Sequence, residues 1–275
     1  MKKSIAGAMI AATIGCVGAS ASGQTVVWSN GVGGDAFSDA TLVSPGASQS
    51  VGATGFYYNN VRGNGVAGIN STYARSGNGS AFLSTPSGSG KADIEYIPGT
   101  ALGTLSSLSS LSYDWYRDSS STNAAVQHPA IRLLVTNGVH TGGLVFEQAY
   151  NGSNVPTDSW VTEDIFSYNG GNGANLWTYG AGMTFAEEGY GNTLADWVGG
   201  VGTIDGDWVV YGISMGVGSG WSGEFEGAVD NLVIGFDGVE TEFNFETLGS
   251  TVIPLPSAAG MAFAGIGLIG LRRRR

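Results

Sequence analysis

The sequence predicts an all-β fold, an antiparallel two-sheet β-sandwich of the jelly-roll kind, between an N-terminal signal helix and a C-terminal transmembrane helix. Three observations lead there. Several runs alternate apolar and polar residues with a period of two, as half-buried strands do. Glycine is abundant, 47 of 275 residues, and it separates short apolar runs in the manner of turns. Helical periodicity is nearly missing between the two ends.

In chain order, residues 1–23 come first. Lys2 and Lys3 precede an apolar run from Ile5 to about Val17, and Ala19-Ser20-Ala21 supplies the small residues of a signal-peptidase cleavage site. Cleavage would start the mature chain near Ser22 or Gln24. Thr13-Ile-Gly-Cys16 also has the outline of a weak lipobox, which leaves lipoprotein processing as an alternative. Cys16 is the only cysteine, so the chain beyond it forms no disulfide, Cys-based metal site or thiol nucleophile.

Residues 24–250 form the body, a length that suits one large β domain. The clearest strand is Val239–Glu246, where Val239, Thr241, Phe243 and Phe245 oppose Glu240, Glu242, Asn244 and Glu246. Lys91–Pro98, Leu111–Tyr116, Ile131–Val135 and Val209–Val217 alternate in the same way. Asp93 and Glu95 fall on the polar side of their run, and Glu240, Glu242 and Glu246 read as a solvated strand surface. One short helix is expected over Asn192–Val198, where Leu194, Trp197 and Val198 have helical spacing behind an Asn192 or Thr193 cap.

Charge narrows the function classes. Six of the eleven basic residues lie in the two end segments, whereas all 22 acidic residues lie between them. A body this acidic repels phosphate backbones, which argues against nucleic acid as a partner. It also invites divalent cations. Trp, Tyr and Phe are frequent (7, 11 and 11), which argues against disorder. Catalysis is not expected. No Glu-x-Asp-x-x-Glu run places carboxylates on one strand face, the pairs Glu163-Asp164 and Glu187-Glu188 would point to opposite faces, and the two histidines, His128 and His140, are too few for a His-rich site.

Residues 251–275 close the chain. Ser257–Leu271 is fifteen residues without a charge, about 22 Å as a helix. Arg272, Arg273, Arg274 and Arg275 follow as a block that would stay cytoplasmic. The order Pro254-Leu255-Pro256, apolar helix, arginine block resembles the tripartite PEP-CTERM sorting signal, departing from Pro-Glu-Pro at Leu255. That resemblance implies an exosortase-type membrane protease as partner, transient anchoring in the membrane by the C-terminal helix, and a final location at the cell envelope, on its outer surface or secreted.

Two segments of the body resemble jelly-roll carbohydrate-binding modules: Tyr73-Ala-Arg-Ser-Gly-Asn-Gly-Ser80, like the entry to an early strand, and Gly227-Ala-Val-Asp-Asn-Leu-Val-Ile-Gly235, like the final strand. The resemblance implies one structural calcium, held by Asp230 with Asp35 or Asp39 as partners; no other cofactor is required. It also implies aromatic stacking on a sugar face. Trp177, Tyr179, Trp160 and Trp221 stand beside glycine-rich stretches and are the candidates, while Trp115 and Trp208 alternate with apolar residues and belong to the core. The expected role is an exported structural or adhesive protein of the surface or extracellular polysaccharide matrix. A module with a specific glycan ligand and, less favoured, a glycoside hydrolase remain as alternatives.

Overall fold

The strands expected from alternation pair into two sheets in the computed structural model, which describes residues 23–41, 44–152, 154–183 and 189–249. The signal segment with Ala19 and Ala21, and the tail with Pro254, Leu255, Pro256 and Arg272–Arg275, lie outside the described residues. Among the described residues no helix is long and apolar enough to cross a membrane.

The strands run β1 (Gln24–Val32), β2 (Phe37–Asp39), β3 (Ala47–Val51), β4 (Phe56–Arg62), β5 (Gly65–Asn70), β6 (Ser80–Thr85), β7 (Lys91–Tyr96), β8 (Gly103–Thr104) and β9 (Leu108–Arg117). There follow β10 (Ala130–Thr136), β11 (Thr141–Phe146), β12 (Trp160–Asp164), a single helical turn α1 (Tyr168–Gly171), β13 (Trp177–Gly180), α2 (Leu194–Gly199), β14 (Val209–Gly218), β15 (Phe225–Phe236) and β16 (Val239–Leu248). The first sheet contains β1, β16, β15, β6, β5 and β2, with β9 and β12 on the other flank of β15. The second follows the order β13-β11-β10-β14-β7-β4-β3, and β8 pairs with β14.

The alternating residues meet between the sheets. Leu111, Tyr113 and Trp115 of β9 face Ile131, Leu133 and Val135 of β10 and Ile213, Met215 and Val217 of β14 across one core. Phe56 of the second sheet packs edge-on against Phe243 and Phe245 of the first, with ring centroids 5.0 and 5.2 Å apart. Each fully buried side chain of this size stabilises the fold by roughly 1.5–3 kcal/mol. Trp115 and Trp208 are buried there, as their spacing implied. The expected helix forms as α2, and Thr193 closes a capping box with Asp196.

The structure departs from the sequence reading in three ways. Pairing is not antiparallel throughout: β1 runs parallel to β16, from Gln24 opposite Glu242 to Trp28 opposite Glu246. A period of two assigns faces but carries no information on strand direction. Glu246 is buried rather than solvated, with Asn244 beside it, because the segment between β5 and β6 folds over the outside of β16. Asp93 and Glu95 are buried as well, on the outside of the second sheet.

One irregularity organises the first sheet. Along one flank β15 pairs with β9; along the other it pairs first with β6, over Phe225–Val229, and then with β16, over Leu232–Phe236. The neighbour changes at Asp230-Asn231, where Asn231 takes a left-handed backbone conformation with φ of 47°. Asparagine tolerates this region better than most residues.

Candidate functional site

The fork in the first sheet leaves backbone N–H groups without ladder partners, and Asp230 fills that need. Its Oδ1 accepts from the backbone N–H of Asn231 (2.8 Å) and Phe245 (3.0 Å), and its Oδ2 accepts from Ser76 N–H (3.4 Å). Around it, Asp114 accepts from Arg75 Nε (2.9 Å), Asn231 Nδ2 (2.7 Å) and Thr162 Oγ1 (2.5 Å), and Glu246 accepts from Asn78 N–H (2.6 Å) and Asn244 Nδ2 (2.9 Å). The segments Tyr73–Ser80 and Gly227–Gly235, singled out separately in the sequence, therefore meet at one buried knot. Burial raises the Asp230 carboxyl to about 7 against the pull of its N–H donors.

Asp35 is placed elsewhere. It accepts from Tyr58 Oη (2.6 Å), Ile69 N–H (2.8 Å) and Asn30 N–H (2.6 Å), and half-buried Asp39 accepts from Thr41 N–H (2.6 Å). No hydrogen bond joins either carboxylate to the Asp230 knot. Calcium takes six to eight oxygens free to coordinate. Here the carboxylate oxygens are spent on N–H and O–H donors, and among the described residues no group of three or more His, Cys, Asp or Glu is set to hold a metal ion. As placed, this donor set does not fit calcium.

The outer face of the second sheet is built differently. One row of cross-strand neighbours runs Trp177, Val145, Arg132, Ser214, Glu95, Tyr57, across β13, β11, β10, β14, β7 and β4. Six strands span roughly 24 Å at the usual spacing of neighbouring strands. Beside it Asp93 lies against Gly216, where a Cβ would collide with the carboxylate. Arg132 Nη1 donates to Asp93 Oδ1 and Ser214 Oγ, both at 3.1 Å, and Lys91 Nζ is 3.1 Å from Asp93 Oδ2. Asn59 and Asn60 donate to Glu95. Burial, then the neighbouring Asp93 charge, raises the Glu95 carboxyl above the usual range; burial lowers the Lys91 ammonium.

At the β13 end of this row stands an aromatic patch. Trp177 stacks on Tyr190 (5.7 Å, 27°) and is 6.2 Å from Tyr179, and Tyr190 is 4.7 Å from Tyr150. Tyr179, Tyr150 and Tyr190 are 41, 40 and 37% exposed. Tyr179 lies against Gly143, where a Cβ would come 2.5 Å from its ring, so only glycine lets the ring sit this close to β11. Glu147 joins patch to row: it lies beside the indoles of Trp221 and Trp177 and near Arg132, and burial raises its carboxyl. The indole N–H of Trp177 is buried without an acceptor at hydrogen-bond geometry.

Of the four aromatic candidates, this face brings together Trp177 and Tyr179. Trp221 reaches Glu147, but its ring is buried against Phe225 (7% exposed). Trp160 is on the outer face of the opposite sheet, beside Tyr116. The sequence reading missed Tyr150 and Tyr190, which lie in aperiodic loops, and Arg132, Asp93, Glu95 and Glu147. Arg132 carried a signal, as a lone cation inside the apolar alternation Ile131–Val135. Gly212-Ile213-Ser214-Met215-Gly216 has the spacing of a nucleophile elbow. It is not one: Ser214 lies within an extended strand, and its hydroxyl accepts from Arg132.

Fold and site together define a two-sheet β-sandwich with an exposed aromatic patch at one end of a buried polar row. No protein-family model matches the chain, and no curated protein matches it. Among solved structures, the chain is similar to a family 11 carbohydrate-binding module from Clostridium thermocellum in complex with a β-1,3-1,4-mixed-linked tetrasaccharide, at 18% identity and a TM-score of 0.36, over 79% of this chain and 99% of that one. It is also similar to a CBM28 module specific for non-crystalline cellulose, at 12% identity and a TM-score of 0.27, over 60% of this chain and 78% of that one. Likenesses this distant carry no function across.

Proposed function

We propose that the chain is an exported, non-catalytic β-sandwich that holds extracellular polysaccharide on the outer face of its second sheet. The observation that supports this is a four-ring aromatic patch, with Tyr150, Tyr179 and Tyr190 exposed and Trp177 half-buried, backed by a buried row of mutually fixed polar groups. Aromatic planes cover the C–H face of a pyranose, half-buried Glu147 beside them can accept from its hydroxyls, and buried Arg132 fixes the charge behind the patch. Asp93 and Glu95 are pinned by Arg132, Lys91 and asparagines rather than facing each other across a gap, which favours holding a sugar over cleaving one.

Titration calorimetry of the purified protein against soluble polysaccharides tests the reading. The expected result is binding that Trp177→Ala and Tyr179→Ala each weaken at least tenfold. Binding unaffected by both substitutions, or no binding to any neutral or acidic polysaccharide, overturns it.

The same proposal places the protein at the cell surface or in the matrix, delivered by the signal segment and processed by an exosortase-type protease at Pro254-Leu255-Pro256. The order of motif, apolar stretch and arginine block supports this. Replacing Arg272–Arg275 by serine in a native host should leave unprocessed chain in the membrane fraction; unchanged processing counts against the sorting role.

A further inference from the structure

We propose that the outer face of the first sheet is a second site for a neutral glycan chain, so that one molecule bridges two chains. Phe82, Ala228, Tyr116 and Trp160 are cross-strand neighbours in one line across β6, β15, β9 and β12. Ala228 is small, and Tyr73 fills the space it leaves. Tyr73 stacks on Tyr116 (4.4 Å, 25°) and runs nearly parallel to Phe82 (6.2 Å, 16°), while Tyr116 and Trp160 are 5.7 Å apart. These four rings lie on the side of the sheet away from the core, and all four are half-buried rather than enclosed. Tyr73 is fixed in place, because its hydroxyl reaches both Asp118 and Glu226 at 2.7 Å.

A second feature adjoins the row. A cavity of about 250 Å³ opens beside it, lined by Ser84, Ser121, Glu224, Glu226 and others, so Glu226 both holds Tyr73 and lines the cavity. Carboxylates accept hydrogen bonds from sugar hydroxyls and repel uronate or sulfate groups, while the serine hydroxyls can donate or accept. Arg75 lies 5.9 Å over the Trp160 ring, but its charge is answered by Asp114, so the aromatic faces beside these acceptors suit an uncharged pyranose chain. Sheets packed face to face turn their outer faces in opposite directions, so one glycan strand cannot lie on both. Two separate sites then act as a cross-link, and avidity for a polysaccharide network exceeds the affinity of either face. The second site stands on its own geometry; the bridging rests also on the first-sheet-opposite face binding as proposed above.

The test is calorimetry of the full chain with β-1,4-linked gluco-, manno- and xylohexaose, together with turbidity on mixing with the corresponding long polysaccharides. The unsubstituted protein should take two oligosaccharides of at least one type and cross-link the long form. Trp160→Ala, and independently Glu226→Gln, should each weaken one site at least fivefold and abolish turbidity while the other site stays intact. Binding retained at the second-sheet face shows that each variant is folded. Trp177→Ala should remove the complementary site. A single site lost with Trp177→Ala and untouched by Trp160→Ala and Glu226→Gln overturns this inference and leaves the proposed function standing. A single site lost with Trp160→Ala alone overturns the second-sheet reading and the bridging instead. No site for any of the three overturns the second site, whatever the response to other polysaccharides.

Discussion

The fork at Asp230 and the row at Arg132 both bury charge on the outside of a sheet, yet they use it in opposite ways. At the fork, carboxylate oxygens answer backbone N–H groups that β15 strands when it changes partner. Little is left over for a ligand. At the row, the charges answer each other, Arg132 and Lys91 against Asp93, and they end beside exposed rings. Asp230 is thus a structural part tied to backbone, whereas Asp93 is tied to the side chains that lead to the aromatic patch.

This contrast can be broken in four places. Asp230→Ala leaves three backbone donors unanswered in a buried knot and should cost about 3 kcal/mol or more in denaturant unfolding, with unchanged glycan affinity of the folded fraction. Arg132→Met strands Asp93 against Lys91 alone; about 3 kcal/mol of stability should go with it, and sugar binding too, so both readouts move together. Next comes pH. The folded pKa of Asp230, about 7, is above the ordinary 3.8. Between those values the folded state holds a proton that the unfolded state has released, so this group's stability contribution is complete below about pH 4 and lost as pH rises through about 7. Asp230→Asn, which keeps the acceptor and removes the charge, should flatten that part of a stability-versus-pH curve; an unchanged slope would mean the carboxyl is not buried as described. Smallest is Glu242→Gln. Its bond to Gln24 is exposed, and the change should stay within about 0.5 kcal/mol.

Much of the fold was legible in the sequence because face alternation and capping are local signals. The runs at Lys91, Leu111, Ile131, Val209 and Val239 became β7, β9, β10, β14 and β16, and the Thr193 cap appeared with its Asp196 partner. What failed depended on distant contacts. Glu246 read as solvated since nothing near it in sequence announces that Asn78, 168 residues away, folds over it. The parallel pairing of β1 with β16 joins residues 218 apart. The site was half legible for the same reason. Trp177 and Tyr179 stood out beside their glycines, but only pairing of β13 through β11 to β10 puts them in line with Arg132, and only the order of sheets sends Trp160 to the other side.

β16 lies between β15 and β1, antiparallel to one and parallel to the other, and it is the strand from which the chain leaves after Leu248. Traction applied to that exit is directed along β16 and meets both flanking ladders side by side. The bonds share the load in shear instead of opening one after another like a zipper. A body pulled at that end would yield late and abruptly, a mechanical property set by where β16, the last of the described strands, was inserted.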